Sequence, residues 1–159
     1  MKLTEAKLKQ MIVEALKDKK IQEVKTKTLR SFMESHGFNQ NHNDFEMDDK
    51  LYRMQSYDRF QPAPYHDRSE EAIMIFDFHI VNDGKGQKIG YSYGFDEVVN
   101  QTFIEHEGYI KVPDMPEFDP KSDEDAEVVF ALILEKEMAR IEKIVVESDL
   151  AAQRYLKRI

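Results

Sequence analysis

Four residues have the types and spacing to hold a divalent metal: Asp77 and His79, two apart in one alternating segment, and Glu105 and His106, adjacent in a later one. Two imidazoles and two carboxylates meeting on a sheet would supply the nitrogen and oxygen ligands that Zn²⁺ or Mn²⁺ accepts, and a metal-dependent hydrolase could be built on them. Yet the chain has no H-E-x-x-H, C-x-x-C or helical E-x-x-H pattern. With 5 His and 31 Asp and Glu, such proximity also arises by chance. The favoured reading of Asp77 and His79 is a solvent-facing or hydrogen-bonded pair near a hairpin end, with no cofactor expected.

Other chemistry fits less well. The absence of Cys removes thiolate nucleophiles, disulfides and cysteine metal sites together, and it suits a reducing compartment. No G-x-S-x-G places a serine on a nucleophile elbow. The run Asn82-Asp83-Gly84-Lys85-Gly86-Gln87-Lys88 has the glycines and lysines of a phosphate loop but not its G-K-[ST] ending. Alternating segments on both sides make it a hairpin turn instead. The aromatic set Tyr52, Tyr57, Phe60, Tyr65, Tyr91 and Tyr93 could stack on bases or a peptide, against a default role in the core.

These residues need elements to position them, and the clearest is a β-hairpin over 72–95. Met74, Phe76, Phe78 and Ile80 alternate with Ile73, Ile75, Asp77, His79 and Val81; beyond the turn, Ile89, Tyr91, Tyr93 and Phe95 alternate with Lys88, Gly90, Ser92 and Gly94. A further short strand is expected over 108–112, and 98–104 reads equally as strand or short helix. Ahead of the hairpin, Thr4 caps a basic amphipathic helix carrying Leu8, Met11, Ile12, Ala15 and Leu16. A second helix follows with Ile21, Val24, Thr28, Leu29, Phe32 and Met33 on one side, stopped by His36-Gly37. Between Phe38 and Arg68 the pattern fails, and the segment reads as a polar loop followed by irregular cover over the core.

The last segment predicts one long helix over 122–158, with Ser122 and Asp125 at its start, acids in its first turn, and Lys157 and Arg158 in its last. Ala131, Leu134, Met138, Ile141, Val145, Ser148, Ala152, Tyr155 and Ile159 step by three and four, the spacing of a seam that asks for a partner helix. About 36 residues rise about 54 Å, roughly twice the diameter expected for a chain of this length. Met138, Ile141, Val145, Ala152, Tyr155 and Ile159 are therefore the candidate interface. The charges flanking that seam, Glu135, Glu137, Glu142 and Asp149, share one sign and disfavour a parallel homodimer. A basic partner would suit them better.

The formal net charge is −8, unevenly spread: residues 1–37 hold nine Lys and Arg against five Asp and Glu, leaving 14 against 26 for residues 38–159. So acidic a body repels nucleic acid, and no apolar run is long enough to cross a bilayer. A cytoplasmic location is expected. The opening Met1-Lys2-Leu3-Thr4-Glu5-Ala6-Lys7-Leu8-Lys9-Gln10-Met11-Ile12 to Leu16 resembles the first helix of many small accessory proteins of tailed phages and marine viruses. That resemblance covers about a tenth of the chain and implies a viral accessory or virion-associated protein, in the host cytoplasm or virion.

The expectation is thus a single α+β domain over 1–159. It has a basic helical pair at 1–37, a small antiparallel sheet and a long terminal helix that docks to a protein partner or to another copy. A non-enzymatic interaction or assembly role leads. An acidic decoy or inhibitor for a nucleic-acid-binding host protein and a metal-dependent hydrolase are the alternatives.

Overall fold

The computed structural model describes residues 4–12, 28–41, 51–62, 69–97 and 102–157. Helix α1 covers 5–12 and helix α2 covers Leu29–Ser35. Five strands follow, β1 (Asn39–Asn41), β2 (Arg53–Pro62), β3 (Ser69–Asn82), β4 (Gln87–Glu97) and β5 (Thr102–Lys111), and then helix α3 (Asp123–Lys157). The strands form one antiparallel meander in sequence order, so β1 and β5 are its edges. The fold is α+β, as expected, but its sheet is larger than the small one foreseen. No described helix is long and apolar enough to cross a membrane.

Two expected elements have clear local causes. Thr28 caps α2 by accepting from the Ser31 amide. At the other end Gly37 takes φ +84, and the Phe38 and Gly37 amides donate to Met33 and Glu34 carbonyls, closing a Schellman turn over the buried Met33 and Phe38. In the β3–β4 turn Asp83 accepts from the Lys85 amide at 3.1 Å and pairs with Lys88 at 3.1 Å. The expectations over 13–27, the second helix's first half among them, lie outside the described residues.

Three strands depart from expectation, the first being β1, which pairs with β2 inside the stretch read as a polar loop. The stretch read as irregular cover contains β2, whose helix-facing positions are Gln55, Tyr57, Arg59 and Gln61. Three of these four are polar, so no apolar alternation marks the strand, and α3 and β4 supply the bonds that make burial tolerable. The final strand is ten residues long rather than five, beginning at Thr102 and taking in 102–104 of the ambiguous segment, whose first part lies outside the described residues.

The inner sheet face meets α3 in one core. Met74, Phe76 and Phe78 from β3 and Tyr91, Tyr93 and Phe95 from β4 pack against Val129, Phe130, Ile133, Leu134, Ile141, Ile144 and Val145. Phe78 and Phe130 meet edge to face with centroids 5.1 Å apart. On α3 the buried positions form a stripe wider than a heptad seam: Leu134, Ile141, Val145 and Ser148 are inside, while Ala131 and Met138 lie on its flank, only partly buried.

Candidate functional site

Three places bring chemistry-bearing residues together, and β alternation decides which. Register pairs His106 with Tyr93 and Glu105 with Gly94, and Asp77 with Ser92. His106 therefore projects to the helix side, whereas Asp77, His79 and Glu105 project to the outer face. The four metal candidates do not meet. Among the described residues no group of three or more His, Asp or Glu could hold a metal ion. Asp77 instead accepts from the Ser92 hydroxyl at 2.8 Å. The His79 ring lies against Tyr52, with centroids 4.8 Å apart, over the bare backbone of Gly90, where any Cβ would collide with it.

On the inner face, Glu137 of α3 accepts from the hydroxyls of Tyr91 and Tyr93, the latter at 3.0 Å, and pairs with Arg140 at 3.3 Å. Arg140 also reaches His106 Nδ1 at 3.3 Å; since guanidinium only donates, that nitrogen is the acceptor. Gly108 is required opposite Tyr91, because a Cβ there would strike the phenol. Burial works against the Glu137 charge, but the two phenols and Arg140 outweigh it and hold the carboxyl below the usual range. Burial and the same carboxylate push Tyr93 up to about 12 and Tyr91 up further. A tyrosine acting as base needs the opposite shift, so these phenols are fixed donors that pin α3 to β4. Beside them an open cleft of about 470 Å³ is lined by His106, Ala139, Arg140, Lys143, Ile144 and Glu147.

A second inner cluster ties α2, β2 and α3. Arg59 donates to the His36 carbonyl at 2.8 Å, to Ser148 at 2.9 Å and to Asp149, and its guanidinium lies 4.4 Å from the Phe38 ring centroid. Gln61 donates to the buried Glu97. These groups chiefly bind one another, with Asp149 and His36 partly open to solvent.

The outer sheet face differs. Register sets Asp58, Ile73, Asp96 and Phe103 in one row across β2 to β5, with Ser56, Ile75, Gly94 and Glu105 in the next. Phe60 and Glu71 stand opposite each other just beyond the first row. Phe60 and Phe103 are each 70% exposed, an unusual state for phenylalanine, and Ile75 is exposed between them. Asp58, Glu71, Asp96 and Glu105 are interleaved with these apolar side chains, Asp96 standing between Ile73 and Phe103. Burial and the neighbouring Asp58 carboxylate, which also shares a hydrogen bond with Glu71, push Glu71 up.

The candidate interface residues fall elsewhere. Ile141 and Val145 are wholly buried against the chain's own sheet, and Met138 packs at the core's margin, so the described ridge is sheltered from within. Ala152, Tyr155 and Ile159 lie outside the described side chains. Of the aromatic set, Tyr57, Tyr91 and Tyr93 are core, Tyr52 and Phe60 belong to the outer face, and Tyr65 lies outside the described residues. Sequence reasoning took Glu137 only as a seam flank and passed over Arg140 and Phe103. A phenylalanine two positions before a charged Glu105-His106-Glu107 run was the available clue.

No family model, curated protein or solved structure matches this chain.

Proposed function

We propose that this protein is a non-enzymatic interaction module that binds a basic, apolar-faced helical segment on the outer face of its sheet. The observation that carries this reading is the pair Phe60 and Phe103, each 70% exposed, on either side of Ile73 and Ile75 with four carboxylates interleaved among them. Aromatic anchors with a charged rim are the usual anatomy of a protein interface, and an acidic rim selects a cationic partner. This moves the docking element from the terminal helix, whose described ridge is already covered, to the sheet.

The test is fluorescence anisotropy with a labelled lysine-rich amphipathic peptide unrelated to this chain. Binding should be lost in the Phe60→Ser, Phe103→Ser double variant and retained in Val146→Ser on the far side of α3. Equal binding by all three proteins would refute the assignment. The acidic-decoy alternative is favoured by the same carboxylates, and salt separates the two. A partner held mainly by charge should dissociate between low and high ionic strength, whereas one anchored by Phe60 and Phe103 should persist.

A further inference from the structure

We infer that the segment seated on the outer sheet face is the N-terminal helix α1 of a second copy of this chain; the inference rests on the proposed docking role of that face. Two surfaces on one molecule are left uncovered, and they are complementary. On α1, Leu8, Met11 and Ile12 are 49%, 51% and 53% exposed, although the chain's own sheet is present to receive them. At about 100° per residue these three fall within one stripe, bordered by Lys7 on one side and by Glu5 and Lys9 on the other. The outer face offers the reciprocal chemistry, with Phe60, Ile73, Ile75 and Phe103 interleaved with Asp58, Glu71, Asp96 and Glu105 across β2 to β5.

The chain's charge distribution follows the same division, with nine Lys and Arg against five Asp and Glu in residues 1–37 and 14 against 26 in the remainder. A reciprocal exchange of α1 between two copies covers both surfaces twice and closes the assembly at a dimer, the isologous arrangement that leaves no free patch to propagate. Pairing through α3 offers no such match, because Ile141 and Val145 are already buried.

The chain has no Cys, so single introduced thiols report proximity without interference. Leu8→Cys and Phe103→Cys proteins, one carrying a size tag, are mixed and oxidised mildly, with a Leu8→Cys and Val146→Cys mixture as control. All three positions are exposed, and the thermal transition of each variant checks that the fold is retained. Docking between copies should give the mixed-size Leu8–Phe103 disulfide at least about tenfold faster than the control, reflecting a raised effective concentration. Equal rates would overturn the inference. A Leu8→Cys, Phe103→Cys double variant that closes a disulfide only within single chains at high dilution would also overturn it, assigning α1 to its own sheet. If the unrelated peptide binds but no link forms between copies, the docking surface stands and its occupant is another protein; if neither occurs, both fail.

Discussion

The two faces of the sheet are built from similar residues but dispose of them differently. On the inner face aromatic and charged groups are both engaged: Tyr91, Tyr93 and Arg140 converge on Glu137, and Arg59 joins His36, Ser148 and Asp149. On the outer face Phe60, Phe103 and Ile75 stand in solvent, and Asp96, Glu105 and Glu107 have no cation partner among the described residues. The contrast teaches where stability and recognition reside. Groups that already satisfy one another hold the fold, and groups left unsatisfied by the fold are available to a partner.

Substitutions sharpen this division, beginning with the core. Phe130→Ala, which empties the contact with Phe78, should cost about 3–5 kcal/mol in urea unfolding. Phe103→Ala on the outer face should change stability by less than about 0.5 kcal/mol. Comparable losses at the two positions would erase the distinction between the faces. Next in size is Arg59→Ala, which strips Asp149, Ser148 and the His36 carbonyl of a shared donor in a mostly buried setting. A loss of roughly 1.5–3 kcal/mol is expected, read as a lower urea midpoint.

The Glu137 cluster gives smaller, pH-dependent effects. Its carboxyl is held below the usual range, so its stabilisation is complete above about pH 4.3, the ordinary glutamate value, and is lost as pH falls through the lower folded-state value. Glu137→Gln should flatten that part of the acid limb in a thermal denaturation series. The Tyr93 phenol has the opposite sign. Raised to about 12, it contributes fully below about pH 10, the ordinary tyrosine value, and its contribution disappears as pH rises from there to about 12. Tyr93→Phe should lose that alkaline dependence while keeping the ring's contact with Phe76. The smallest effect belongs to Ile75→Thr, expected within about 0.5 kcal/mol of the parent in stability while weakening peptide binding measurably. Unaltered binding would argue against the patch.

Much of the fold was legible from residue patterns. The terminal helix announced itself through Ser122, the acids that follow it and a long run of three-and-four spacing, and it spans Asp123–Lys157. The hairpin was equally plain, since Met74, Phe76 and Phe78 alternate with less apolar neighbours and a glycine-rich turn follows. Strand β2 was hidden because its buried side carries Gln55, Arg59 and Gln61, whose partners are up to 90 residues away in sequence. Strand β5 was read only over its last part, for a different reason: Phe103 and Tyr109 on one face and Ile104 and Ile110 on the other give no net alternation.

The sites were less legible than the elements. Asp77 with His79 and Glu105 with His106 looked alike as pairs of potential ligands. The spacing of two keeps the first pair on one face, whereas adjacency splits the second across the sheet. The helical seam was read with a strict heptad, but a straight helix drifts about 20° per heptad. The buried stripe therefore takes in Phe130, Ile133 and Ile144 and leaves Ala131 and Met138 at its edge. Exposure of Phe60 and Phe103 depends on which sheet face the helix covers, a fact set by packing rather than by either strand alone.

Methyl-labelled NMR of the full chain, titrated with a peptide of residues 1–16, addresses the division between the faces most directly. Resonances of Ile73 and Ile75 should shift progressively, while those of Ile133, Ile141 and Val145 stay in place. Shifts concentrated at Ile141 and Val145, or none at Ile73 and Ile75, would contradict recognition through the outer face.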